Sequence, residues 1–166
     1  MRLRFDLIAL AALMLLGTAC SKDEASLVGS LGDFYELRHE VVRARLYPSE
    51  LAIEYVRENN EVPVRITVLA DPPIATGTYD LAEVGEISGR ADGVEIPRYR
   101  TGTLRIDRFE PNTDTRIQGD FDATFETGKD IASLAGKFDT TLVVIDRVAG
   151  YDVDADFVDA AQFLQQ

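Results

Sequence analysis

Val62-Pro63-Val64-Arg65-Ile66-Thr67-Val68 alternates between apolar and other residues, with Val62, Val64, Ile66 and Val68 on one side. A side-chain period of two is the signature of a strand with one buried face. The stretch before it, Leu51-Ala52-Ile53-Glu54-Tyr55-Val56-Arg57, carries Leu51, Ile53 and Tyr55 in the same phase, and Glu58-Asn59-Asn60-Glu61 joins the two. Asparagine tolerates positive φ, so Asn59-Asn60 suits a two-residue hairpin turn. Folding there sets Leu51 opposite Val68, Ile53 opposite Ile66 and Tyr55 opposite Val64, and puts Glu54 beside Arg65 on the other face. Upstream, Tyr47-Pro48-Ser49-Glu50 places proline where a type I turn accepts it. Folding around Pro48-Ser49 pairs Leu46 with Leu51, Ala44 with Ile53 and Val42 with Tyr55. Arg43–Glu54–Arg65 then forms a row across the face expected to meet water. A slip of one residue would bury that row, so pattern and turns specify one register.

A second pattern lies downstream. Gly102-Thr103-Leu104-Arg105-Ile106, Gly119-Asp120-Phe121-Asp122-Ala123 and Gly136-Lys137-Phe138-Asp139-Thr140 recur at a spacing of 17 residues. Apolar residues sit two apart in each, which predicts three strands of an antiparallel meander, each starting near its glycine. Between the blocks, Asp71-Pro72-Pro73 ends a strand, Gly77-Thr78-Tyr79 begins a short one, and Asp92-Gly93 marks a turn. Beyond Asp154, Phe157, Ala160, Ala161 and Leu164 fall on one side at helical spacing and predict a short C-terminal helix. The fold expected is all-β: an antiparallel β-sandwich of about 7–9 strands, with a small β-barrel as the alternative.

The N-terminus has a different character. Met1-Arg2-Leu3-Arg4 precedes an apolar run from Leu7 to Leu16, followed by Gly17-Thr18-Ala19-Cys20. Positive charge, a run of roughly ten apolar residues and a small residue at the cut describe a secretory signal peptide. The run is shorter than the roughly 20 apolar residues that span a bilayer. Leu16-Gly17-Thr18-Ala19-Cys20 resembles the lipobox of bacterial lipoproteins. The resemblance implies cleavage before Cys20, a diacylglycerol on its sulfur and often an acyl chain such as palmitate on the new N-terminus. Ser21 in place of aspartate implies the outer membrane, in a cell that has two membranes. The domain organisation expected is a signal peptide at 1–19, a lipidated flexible tether at 20–32 and one β-domain at 33–166. Beyond the signal, the chain is similar to uncharacterised β-rich bacterial lipoproteins in general.

Charge and cysteine usage agree with that address. Removing residues 1–19 takes away Arg2, Arg4 and Asp6, so 17 basic and 29 acidic residues become 15 and 28, and the formal charge moves from −12 to −13. Such a surface repels nucleic acid and anionic headgroups, so nucleic acid is not an expected partner. The expected partners are the membrane, through the lipid, and a protein of the cell envelope. Cys20 is the only cysteine, so the domain has no internal disulfide even in an oxidising compartment.

Catalytic constellations are scarce. His39 is the only histidine, and transition-metal sites recruit several nitrogen or sulfur ligands. The sequence has no Gly-x-Ser-x-Gly elbow, no Walker motif and no Gly-x-Gly-x-x-Gly after a strand. Carboxylates are plentiful, yet nothing singles out two as a glycosidase pair. Asp152, Asp154 and Asp156 alternate as calcium-loop ligands do, with Asp159 near. Phe157 and Phe163 stand where an EF-hand needs glycine and glutamate. The competing reading is an acidic turn that caps the C-terminal helix. The expected function is therefore a non-catalytic β-domain without a cofactor, held at the cell envelope for binding or structural work. A calycin-like carrier of a small apolar ligand is the alternative, and an enzyme comes third.

Overall fold

The computed structural model describes residues 23–146, so Cys20, the three aspartates 152, 154 and 156, and the expected C-terminal helix lie outside the described residues. The elements run β1 (Glu24–Val28), a 3-10 turn (Ser30–Asp33), β2 (Val41–Leu46), β3 (Glu50–Val56), β4 (Val64–Leu69), β5 (Gly77–Asp80), a one-turn helix α1 (Leu81–Val84), β6 (Gly85–Ser88), β7 (Arg90–Ala91), β8 (Val94–Glu95), β9 (Arg98–Arg108), β10 (Arg116–Thr127) and β11 (Asp130–Val144).

The registers expected for β2, β3 and β4 are the ones observed: Leu46 lies opposite Leu51, Ala44 opposite Ile53, Val42 opposite Tyr55, Ile53 opposite Ile66 and Tyr55 opposite Val64. Apart from half-buried Leu46, their inward side chains are almost completely buried, and each buried valine, leucine or isoleucine stabilises the fold by about 1.5–3 kcal/mol. The turn between β3 and β4 differs in detail. Asn60 alone has positive φ (64°), and Arg57 N–H bonds to the Glu61 carbonyl at 2.9 Å, giving a three-residue loop. The strand begins at Val64 instead of Val62, because Pro63 has no N–H to give a ladder. Val62 and Pro63 turn away: the Val62 carbonyl accepts from Arg90 N–H at 2.8 Å and that of Pro63 from the Tyr35 hydroxyl at 2.9 Å.

The meander is present as β9, β10 and β11, but its glycines sit inside the strands, not at their starts. Gly119 lies opposite Phe138, and Gly136 lies opposite Phe121. The two Gly-x-Phe units therefore pair head to tail, and each glycine makes room for the other unit's ring. A Cβ on Gly136 would come within 2.3 Å of Phe121 Cε1, and one on Gly119 within 2.7 Å of Phe138 Cζ. The sequence spacing of these units is the register of a hairpin, closed by Gly128-Lys129 with Gly128 at φ 74°.

The all-β expectation holds, and its form is the barrel, not the two-sheet sandwich. Nine strands make one sheet, eight of them in the order β5-β9-β10-β11-β2-β3-β4-β6 and the ninth, β1, paired to β11 off that path. The meander and the β2–β4 block join through a short parallel pairing of Leu142, Val143 and Val144 with Ala44, Arg45 and Leu46. Below that seam, β1 pairs antiparallel with residues 135–139 of β11. Thr140 marks the change of partner, its hydroxyl donating to the Val42 carbonyl at 2.9 Å. The segment expected as a tether is thus folded from Glu24 on, with Ala25 and Leu27 packed against the core. At the far side, the two ends of the sheet, β5 and β6, are joined by α1, and β6 also approaches β9. Asp80 caps that turn through Ala82 N–H at 2.9 Å, and fully buried Leu81 fills the gap between the sheet ends.

The interior is filled by side chains. Phe121, Phe125, Phe138, Tyr55, Ile53 and Ile66 all belong to one buried cluster. Strand directions place loops 47–49, 70–76 and 109–115 at one end, the upper end, with loops 29–40, 57–63, 89–97 and 128–129 at the other.

Candidate functional site

The Arg43–Glu54–Arg65 row forms as expected, but Glu54 is not wet. It is 2% exposed, and the outward residues Ala52 and Val56 on the same strand are buried as well. Arg43 Nε donates to Glu54 Oε2 at 2.6 Å, Arg65 Nη1 lies 3.3 Å from Oε1, and Arg45 Nε lies 3.8 Å from Oε2. Arg65 also reaches Glu50 at 2.8 Å. Long arginine stems shield the carboxylate while their heads stay partly solvated. Simple alternation misses this burial. The available signal is arginine on both neighbouring strands, at the cross-strand positions of one glutamate.

At the lower end, Arg57 Nη1 contacts Glu61 and Asp92, each at 3.0 Å. Asp92 N–H donates to Glu61 Oε2 at 3.2 Å, which ties the β7–β8 hairpin to the β3–β4 turn. Hydrogen bonding from Asn59, then from the Asp92 backbone, with the charge of Arg57, holds the Glu61 carboxyl below its ordinary range. A carboxylate with a lowered pKa supports the fold above its unfolded value and loses that support as pH falls through the folded one. The Gly93 and Val94 NMR cross-peaks should therefore move with a midpoint below the ordinary glutamate value of about 4.3. A midpoint at or above that value would exclude the clamp.

His39 stands edge-on to Tyr55, ring centroids 5.0 Å apart, with Nδ1 3.3 Å from the Leu37 carbonyl. No acid or nucleophile completes a triad around it in these contacts. Burial raises the Tyr55 phenol far above its usual range, and its hydroxyl donates to the Lys137 carbonyl at 2.9 Å. Tyr35 is raised in the same way, chiefly by burial. Both are fixed donors. On the outer face of β9–β11, carboxylates are matched with cations or hydroxyls: Asp120 with Arg105, Asp139 with Arg116 (Nε at 2.8 Å) and Asp122 with Thr103 at 3.0 Å. Among the described residues, no group of three His, Cys, Asp or Glu is placed to hold a metal ion.

Concave surfaces among the described residues include one against β1, β9, β10 and β11, one between Asp23 and His39–Val42, and one at each end of the barrel. A depression of about 630 Å³ runs along Leu27–His39 at the lower end, edged by exposed Val28 and Phe34. At the upper end, a groove of about 280 Å³ is lined by Leu46, Tyr47, Pro48, Ala70, Pro73, Ile74, Phe109 and Pro111. No charged residue lines this groove. It is assembled from three loops, which is why no single stretch of sequence announces it.

Arg116, which holds Asp139, also binds Asp23 at 2.9 Å. The chain just upstream of β1 is thereby pinned to the wall of the barrel, three residues after Cys20. No protein family, no curated protein and no solved structure matches this chain. Among the described residues, no helix is long and apolar enough to cross a membrane.

Proposed function

We propose that the protein is a lipoprotein of the bacterial cell envelope, cut before Cys20 and lipidated there, whose barrel serves binding or structural work without catalysis. The observation that carries this reading is the run Leu16-Gly17-Thr18-Ala19-Cys20 behind a charged, apolar N-terminus, with Cys20 the only thiol. A mature charge of −13 gives no electrostatic hold on anionic lipid, so the lipid itself supplies the attachment. The barrel shape would suit a carrier of a small apolar ligand. The rings of Phe121, Phe125 and Phe138 fill the interior, however, and favour the non-catalytic binding or structural domain. The pairing of His39, Tyr35 and Tyr55 with backbone carbonyls gives no support to an enzyme.

Mass analysis of the mature N-terminus tests the anchor. The expected result is a chain beginning at Cys20 with added acyl mass, and loss of both cleavage and lipid in Cys20→Ala. A mature chain that lacks Cys20, or carries it unmodified, would refute the reading.

A further inference from the structure

We infer that the upper end of the barrel rests on the membrane, with the groove of Leu46, Pro48, Ala70, Pro73, Phe109 and Pro111 seated in zwitterionic phospholipid; this rests on the lipid-anchor reading. Three observations converge on it.

The first is where the chain leaves the fold. Asp23 is held to Arg116, and Arg116 lies opposite Thr141 on β11. Three peptide units separate Asp23 from Cys20, so the two Cα atoms stand no more than roughly 11 Å apart. From Thr141 to the upper end of β11 at Val144 is about 10 Å. β1 runs downward from Glu24, so its upstream chain points to the upper end. A lipid on Cys20 therefore comes within reach of that rim, and Asp23 also borders His39 and Glu40 at the foot of β2.

The second is chemistry. The groove is apolar, and Leu69, at the end of β4 beside it, is 52% exposed. The third is the contrast between the two ends. The lower loops carry Asp33, Glu36, Glu40, Glu58, Glu61, Asp92 and Glu95 together with Arg38, Arg57, Arg90 and Lys129. The upper loops carry three charged residues, Asp71, Glu110 and Asp114, all acidic. Those three repel anionic headgroups and leave zwitterionic lipid as the fitting surface.

The chain contains no tryptophan, so a single introduced one reports its own position. The mature chain, residues 20–166, is coupled through Cys20 to a maleimide phospholipid in phosphatidylcholine vesicles with brominated acyl chains. Leu69→Trp and Pro111→Trp report the upper end, and Asn59→Trp reports the lower. All three sites are exposed, which keeps the variants foldable. The expected result is quenching at the two upper sites at least about twofold greater than at the lower one, as for residues buried at the headgroup boundary. Equal quenching, or greater quenching of Asn59→Trp, would overturn the inference. So would a concentration-dependent blue shift of Leu69→Trp without vesicles, which would assign the groove to a second copy of the chain. Chemical coupling makes the result independent of whether cells lipidate Cys20; failure of that reading shows instead in the mass of the mature N-terminus.

Discussion

Replacing Arg43 and Arg65 together by methionine is expected to destabilise the barrel by about 3–5 kcal/mol, the cost of taking its two closest cations from a buried carboxylate. Glu54 is 2% exposed, and it cannot rotate into solvent because Ala52 and Val56 on either side are buried too. Arg45 remains at 3.8 Å, too far for a hydrogen bond. Methionine keeps most of the arginine stem, so the loss reads charge and hydrogen bonding more than packing. Adding Glu54→Leu to the pair should restore more than half of the lost stability, because the uncompensated charge is then gone. Urea unfolding of the wild type, the double variant and the triple variant measures both. A triple variant no more stable than the double would show that the row acts through packing, not through its charges.

The second large effect concerns the reciprocal Gly-x-Phe pair. Gly119→Ala and Gly136→Ala should each cost about 1–3 kcal/mol or more, because both force extra volume into a filled interior. They should differ in how they are rescued. The new methyl at Gly136 meets Phe121 Cε1 at 2.3 Å and Leu27 Cδ2 at 2.8 Å, both side-chain atoms, with the Ser26 carbonyl at 2.8 Å. The one at Gly119 meets the Arg105 carbonyl oxygen at 2.0 Å before it meets Phe138. Shortening the opposing ring, Phe121→Leu, should therefore relieve part of the Gly136→Ala penalty, whereas Phe138→Leu should not relieve Gly119→Ala. Thermal melts of the four single and two double variants decide the matter. Equal rescue at both sites would mean that strands β9 and β10 can separate to admit a methyl group.

These tests bear on what could be read from residues alone. The three-strand block was legible to the pair, since apolar alternation and two turns demanded one register and no other. The Gly-x-Phe spacing was legible as strands but not as a mutual fit, because only the pairing of 119 with 138 shows a ring over each glycine. The barrel was hidden in three residues of parallel pairing between Leu142–Val144 and Ala44–Leu46, segments far apart in sequence with no local signal of their own. β1 gives a weak strand signal because Glu24-Ala25-Ser26-Leu27-Val28 is short, and its inward residues are only alanine and leucine. Glu54 looked wet because alternation assigns a face, not a depth. The upper groove has no local signature, because three loops contribute to it and its prolines read as turns.

The place of β1 bears on how the molecule is made. Among the described residues its only strand partner is β11, so residues 24–28 wait for residues 135–139. A chain emerging N-terminus first presents β1 long before that partner exists, and the flank of β2 stays uncovered for the same interval. The block of hairpins from Val41 to Leu69 can assemble locally, and so can the β9–β11 meander, but neither can close the wall alone. Closure waits on contacts of long sequence separation, which are slow to form and leave strand edges open meanwhile. A polypeptide whose first and last described strands must meet cannot complete its fold until nearly all of the described chain is present.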